Sequence, residues 1–454
     1  MSSEDTRNAI IAFVLFMGVL ILYQTLFETP GPEQRPDAAQ TEQTAQPGTE
    51  PADNGLPAPQ AAPQNAPGRT DTEDSGIPRP AAAPRAEPGA SAEAVSTAGV
   101  LNREAALALS PRVPIRSEAV TGSIALKGGI IDDLRLRRYR ETVEEDSPII
   151  TLLSPLKARG GYSARFGWVA GGGGEVALPD ENTMWRQAGS GALTPGNPVI
   201  LQWDNGQGLM FERRISIDED YMFTVTERVV NSGDRAVTLH PYGLITRHDV
   251  VKEPGFGILH IGMIGALKDE LQTYSYDKIK KQDKRRFEAE SEGGWVGITD
   301  KYWLTALAPT EQAEPFTGRF LHRTIKGRDA YQADYVLTGR TIPPGKDVSV
   351  DTQLFAGAKK VNLIDGYKEQ YGITKFDYAV DWGWFPFLTR PFFSVLDWIT
   401  DYVGNFGVAI LLFTVLVKIA FFWFSQKAYV SMAKMKKVQP KMKKLQERYK
   451  DDKT

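Results

Sequence analysis

The sequence predicts a membrane protein of mixed α and β structure. Its parts are an N-terminal transmembrane helix, a large antiparallel β-sandwich outside the cytoplasm, an interfacial amphipathic helix, a second transmembrane helix and the start of a cytoplasmic helical hairpin. Three observations point to this arrangement. Two apolar runs, 9–27 and 406–424, have the length of a bilayer crossing. Residues 115–358, between them, alternate apolar and polar side chains in short runs separated by turn signals. The C-terminal stretch 425–454 carries ten Lys or Arg against three acids, the bias that holds a loop on the cytoplasmic side.

Composition narrows the chemistry. The 454 residues carry a net charge of −3 and include no cysteine. Disulfides, thiolate metal sites, a cysteine nucleophile and an acylated lipoprotein cysteine are thereby removed together. The overall charge gives no sign of DNA as a partner. The basic excess is confined to the tail.

Residues 1–8 form a short cytoplasmic N-terminus and 9–27 (AIIAFVLFMGVLILYQTLF) the first span, about 28 Å long at ~1.5 Å per residue. A cleaved signal peptide fits less well. The preceding flank holds Arg7 with Glu4 and Asp5, and no small-x-small cleavage site follows. Residues 28–114 are rich in Pro, Ala, Gln, Gly and acid, and bury too little surface to repay their ordering entropy, so they read as a disordered tether. Within 115–358, alternating runs at 123–127, 130–136, 199–203, 221–230, 303–307 and 348–354 indicate antiparallel strands of a two-sheet sandwich.

Sandwiches of this size often bind sugars, so a carbohydrate site is a reading to carry forward. The chemistry-bearing residues give no catalytic pattern. His240, His248, His260 and His322 lack helical or alternating ligand spacing, and the glycine run 171–174 lacks the Lys and Ser/Thr of a phosphate loop. Asp218, Glu219 and Glu314 have no fixed separation on which a glycosidase mechanism could rest. No catalytic residue, metal or cofactor is expected.

The segment 359–403 holds a connector and the interfacial helix, with Pro391 suited to a first helical position. Phe392, Val395, Leu396, Ile399 and Val403 share one face, and Ser394, Asp397 and Asp401 another. Trp382, Trp384, Phe392 and Trp398 read as interfacial anchors on the outer membrane surface. The alternative is a core helix of the sandwich. In 404–424, the second span, Lys418 interrupts the apolar run. A charge at that depth costs roughly 2.5–3.5 kcal/mol on insertion scales and calls for a watery cavity, a partner or access to the interface. Lys418 lies six residues from Phe424, about 9 Å along a helix, so snorkelling is a second reading.

In 425–454 an apolar seam of Met432, Met435, Met442, Leu445 and Tyr449 runs beside a basic stripe of Lys434, Lys437, Lys441, Lys444 and Arg448. The pair reads as one arm of a hairpin, with Pro440 kinking or restarting the helix. The stripe could meet anionic membrane lipid or ribosomal RNA, or act only as the positive-inside anchor.

Val403-Gly-Asn-Phe-Gly, Lys418 and Ser431-Met-Ala-Lys-Met-Lys-Lys-Val-Gln-Pro-Lys441 together resemble the YidC branch, Gram-negative type, of the YidC/Oxa/Alb membrane protein insertases. Asp381-Trp-Gly-Trp384, Pro391, Gly293-Gly-Trp-Val-Gly and Leu126-Lys-Gly-Gly-Ile-Ile131 extend the resemblance to everything outside the linker. It implies an inner-membrane, multi-pass protein with a periplasmic sandwich and a hydrophilic groove, in which an intramembrane cation receives the polar part of a nascent membrane protein. Insertion alone or with the Sec translocon, and a ribosome contact, are further implications. Lys418 stands where the family usually has Arg, and Trp423 where many members have Pro. The resemblance also implies further membrane helices beyond Thr454.

Two readings compete with the insertase: a membrane-anchored periplasmic carbohydrate-binding or chaperone module, and a bitopic scaffold tethering a secretion channel. Protease added to spheroplasts is expected to digest 115–358 and spare the tail after Ser425. Protection of the sandwich would overturn the orientation.

Overall fold

The computed structural model describes residues 100–171, 176–250, 259–325, 327–383 and 385–448, with the side chains of 443–448 left aside. The expected first span, most of the linker, residues 172–174 of the glycine run and Trp384 lie outside these residues.

Among the described residues, two antiparallel sheets form the sandwich. The ten-stranded sheet runs in the order Arg112–Arg116, Val120–Ala125, Ile130–Arg140, Tyr162–Ala170, Val237–His248, Arg328–Leu337, Pro315–Ile325, Arg286–Glu292, with two short strands off this path. The nine-stranded sheet runs Glu270–Ser275, Gly262–Leu267, Trp295–Thr299, Trp303–Pro309, Lys346–Ala358, Met222–Asn231, Leu209–Ile217, Val199–Asp204, Arg186–Ala188. In Leu209–Ile217 and Met222–Asn231 every second side chain is buried, as expected of strands with one face on a core. Phe211, Ile215, Phe223 and Val225 thus meet Phe166, Ile245, Phe320 and Tyr335 of the other sheet in one apolar cluster.

Alternation fails in Arg328–Leu337, whose residues 330–337 are all buried. On the outer side of this strand Val336 packs with Tyr242, Leu244 and Val169. Arg319 donates to Asp334 at 2.7 Å and Gln332 donates to the same carboxylate at 2.6 Å. Neighbouring side chains on the sheet cover the polar groups, so period-two reasoning misses this strand's outer face.

Composition placed 100–114 in the linker, and the structure corrects this. The helix α1, Arg103–Leu107, is capped by Asn102, whose Oδ1 accepts from Ala105 N at 2.7 Å. Arg103 pairs with Asp133, and Arg112–Arg116 opens the ten-stranded sheet with Val113 and Ile115 buried. A local cap and two alternating apolar residues decide these positions, against the Pro/Ala-rich sequence before them.

After the helix α2, Tyr276–Lys280, three helices follow the pattern of the C-terminal third: α3, Val361–Tyr371; α4, Pro386–Val403; and α5, Phe406–Arg448. Two expectations change here. Pro386, not Pro391, takes the first position of α4, and Pro391 lies inside the helix. There it forgoes one bond, to the carbonyl of Phe387. The helix α5 is continuous through Pro440, so the expected restart does not occur. Pro440 removes only the bond to Lys436, and the turns on either side keep their own.

Arg213 ties the sheets together. Its guanidinium, 1% exposed, pairs with buried Glu227 and donates to Gly129 O at 2.6 Å and Phe166 O at 2.7 Å. It also lies 4.7 Å from the Trp185 ring centre. Glu227→Ala leaves this cation buried and unpaired, so a loss of roughly 3–5 kcal/mol is expected in denaturant unfolding of the detergent-solubilised chain. The double variant Arg213→Met/Glu227→Leu is expected to recover part of that loss.

Candidate functional site

The chain leaves the sandwich and enters the membrane helices through a short joint that starts at the Gly293-Gly-Trp motif. Gly293 and Gly294 have φ of 70° and 106°. A Cβ on Gly294 would stand 2.0 Å from Ala266 O, so only glycine fits. This bend exposes Gly294 N to Gln312 Oε1 at 2.7 Å, and the same oxygen accepts from Thr374 N at 3.1 Å. Trp295, fully buried, donates to Lys375 O at 3.3 Å and meets Phe376 edge-on at 5.4 Å. The motif thus clamps residues 374–376 against the sandwich.

Asp377 follows at once and is 4% exposed. Its carboxylate pairs with Arg390 on α4, and Lys368 Nζ of α3 stands 3.0 Å from Oδ1. Burial pushes this carboxyl upward, but Arg390 and Lys368 outweigh it and hold it below the usual range. Arg390 also lies over Trp382 at 5.1 Å and Tyr378 at 5.4 Å, and Trp382 meets Phe393 at 5.6 Å. Farther along α4, Asp397 accepts from Asn362 of α3 at 2.9 Å. Arg390, Phe393 and Asp397 share the side of α4 that faces the connector and α3.

The opposite side of α4 meets α5. Phe392 lies 5.4 Å from Phe413, and Ile399 is 7% exposed. The predicted apolar face therefore exists, but it turns partly to the next helix, while Asp397 of the predicted polar face turns to α3. The elbow between the helices is local chemistry. Gly404 ends α4 at φ 71°, its N donating to Thr400 O at 2.7 Å, and Asn405 accepts from Val408 N at 3.2 Å to cap α5.

Within Phe406–Met442 of α5 an 18-residue window reaches a mean hydropathy of 2.3, yet only 6% of that window is buried. This helix is long and apolar enough to cross a membrane. Ala409 is covered by neighbours, and Lys418 lies nine residues on, half a turn around the helix at ~100° per residue. It is exposed, and no described residue stands opposite it. Lys427 folds back over the Trp423 ring at 3.8 Å. Lys434, Lys437 and Lys441 are exposed along the same helix. The helix backbone continues through Lys444 and Arg448, whose side chains lie outside the described residues.

Trp398 is 68% exposed and stacks on Tyr402. Trp382 is half-buried against Arg390 and Phe393, and Phe392 divides its surface between α5 and solvent. Sequence reasoning missed Asp377, Arg390 and Lys368. One signal was present: Arg390 is the only cation between Lys375 and Lys418. Among the described residues no three metal-capable side chains cluster. Asp218 accepts from Tyr367, and Glu314 pairs with Arg340.

Residues 112–395 match the family model described as the YidC periplasmic domain, and 398–454 the one described as the 60Kd inner membrane protein. Similar relatives include the membrane protein insertase YidC of Bradyrhizobium diazoefficiens, at 42% identity over 99% of this chain and 71% of that protein. Others are those of Methylorubrum extorquens (43%, 99% and 70%) and Nitrobacter hamburgensis (47%, 78% and 59%). The chain thus matches between 59% and 71% of these relatives' lengths. A galactose mutarotase related enzyme of Lactobacillus acidophilus is a distant structural neighbour: 11% identity, TM-score 0.39, 54% of this chain and 97% of that one.

Asp377→Asn keeps the shape of the joint and removes its charge. A loss of roughly 1–3 kcal/mol at neutral pH is expected in thermal unfolding, with faster proteolytic cleavage between 372 and 390. Since the folded carboxyl titrates below the unfolded value of about 3.9, its contribution is present above that pH and is lost as the pH falls through the folded value. The gap between wild type and variant should close there. Equal stability at pH 7 would contradict the joint.

Proposed function

The chain belongs to the YidC family of membrane protein insertases, and on that footing we propose that it assists insertion and folding of integral membrane proteins into the inner membrane. The face of α5 that bears Lys418 is the part that meets them. The observation that carries this reading is the placement of Lys418 on an exposed, apolar helix, turned away from the side packed on α4.

The mechanism needs no covalent step and no cofactor. A short polar segment of a nascent protein crosses the hydrocarbon region only at a cost of several kcal/mol per unsatisfied group. Lys418, within a hydrophilic groove completed by further helices, offers an acidic or polar segment a charge partner and lowers that cost. The substrate's apolar helix then partitions into lipid. Lysine supplies a point charge without the paired hydrogen bonds of arginine, so the hold is weak enough for release.

The other predicted residues take supporting roles in this reading. Trp382, Trp384, Phe392 and Trp398 set the depth of α4 at the outer surface. Lys434, Lys437, Lys441, Lys444 and Arg448 present positive charge to the ribosome or to anionic lipid on the cytoplasmic side. The Sec translocon is a partner for substrates with large translocated domains.

The test is insertion in cells depleted of their own insertase, with the chain joined to the segment by which its relatives are longer. Lys418→Arg should retain insertion. Lys418→Met should slow it roughly tenfold, about 1.4 kcal/mol, for substrates with an acidic translocated segment, and less for neutral ones. Removing a charge eases the protein's own insertion, so misplaced topology would not explain the loss. Equal insertion of acidic and neutral substrates by the Met variant would overturn the reading.

A further inference from the structure

A cleft of about 680 Å³ opens where the sandwich, the start of α3 and the middle of α4 meet. Its walls include Lys359, Lys360, Leu363, Phe393 and two carboxylates, Asp397 and Asp220, the latter paired with Arg138. Lys359 follows directly on the strand Lys346–Ala358 and is half-buried. Its ammonium donates to Thr299 Oγ1 at 3.0 Å, and no carboxylate among the described residues forms an ion pair with it. The nearby acids are committed elsewhere. Asp300 holds Arg247 at 2.6 Å, and Asp381 accepts from His260 N at 3.1 Å and Gly383 N at 2.9 Å. Burial pushes the Lys359 ammonium down to about 8, with those two acids pulling the other way. Lys360 is exposed beside it.

The opposite wall is acidic and apolar. Asp397 gives one oxygen to Asn362 at 2.9 Å and has no described partner for the other. Leu363 and Phe393 add hydrocarbon surface to the lining. The cleft therefore offers two cations, one carboxylate with a spare oxygen (Asp397), a second already held by Arg138 (Asp220), and apolar surface. It flanks α4, which turns at Gly404 directly into the membrane span. The ligand chemistry that matches is a phosphate joined to an amine on a hydrocarbon body, and at this depth the abundant source is a lipid head group.

We propose that this cleft binds a phosphoethanolamine-type phospholipid, its phosphate between Lys359 and Lys360, its amine on Asp397 and its glycerol end against Leu363 and Phe393. A head group without an N–H donor meets Asp397 by charge alone, without a hydrogen bond, and a purely anionic one faces the carboxylate with no cation to offer it. The proposal goes beyond the insertase reading and uses only the membrane location of α4.

Native mass spectrometry of the full chain, released from detergent with phosphatidylethanolamine, phosphatidylcholine or phosphatidylglycerol added, measures the retained lipid directly. Phosphatidylethanolamine should be retained at least about tenfold more than either of the others. Lys359→Met/Lys360→Met should abolish retention, Lys359→Arg should keep it, and Asp397→Asn should erase the preference for ethanolamine over choline. Should the double variant fail to fold, Lys359→Arg and Asp397→Asn decide. Undiminished retention in a folded double variant would overturn the proposal. So would displacement of the lipid by inorganic phosphate, which would make this a site for the free ion. No substrate is present in this measurement, so its outcome is separate from that of the insertion assay.

Discussion

The buried carboxylate of Asp377 is the interaction on which the rest of the arrangement depends, because it joins the end of the sandwich to the helices that lead into the apolar α5. A charge with 4% exposure is costly unless it is paired. Its partners come from two elements, Lys368 of α3 and Arg390 of α4. Satisfying this one group fixes the angle at which α4 leaves the domain. That angle aims Phe392 at Phe413, and the Gly404 and Asn405 caps then set the start of α5. The position of Lys418 on the outward side of α5 is the end of this chain of constraints.

The two halves of the molecule are stabilised by different physics. In the sandwich, apolar burial between sheets does most of the work, with Arg213 as a cation enclosed by carbonyls, a carboxylate and rings. Nearly all described side chains of α5 are exposed, and only a bilayer or other helices give that surface a favourable environment. On the proposed insertase reading this exposure is an offered surface, and Lys418 gives it a polar point.

Much of this was legible in the sequence, and the reasons are physical. Period-two alternation exposed the sandwich because Leu209–Ile217 and Met222–Asn231 bury one face only. It misled at Arg328–Leu337, where side chains on the outer face cover one another. The span at 406–424 was legible from length and hydropathy, and the family from motifs that turn out to be structural devices: Gly293-Gly-Trp clamps the joint, and Gly404-Asn405 caps two helices. The joint itself was hidden. Asp377 and Arg390 are thirteen positions apart and Lys368 lies on another helix, so their meeting is a tertiary fact with no periodic trace. Pro391 misplaced the start of α4 because Pro386, five residues earlier, suits the same role.

The central claim is that the sandwich and α4 are held in one fixed arrangement relative to each other. The absence of cysteine allows it to be measured with two introduced labels, at Tyr302 on the sandwich and Trp398 on α4, both exposed. Pulsed electron–electron resonance on the full chain in lipid nanodiscs would read the distance between them. A single narrow distance distribution is the expected result. A broad or multi-peaked distribution would show the domain swinging freely on its connector and would contradict the account.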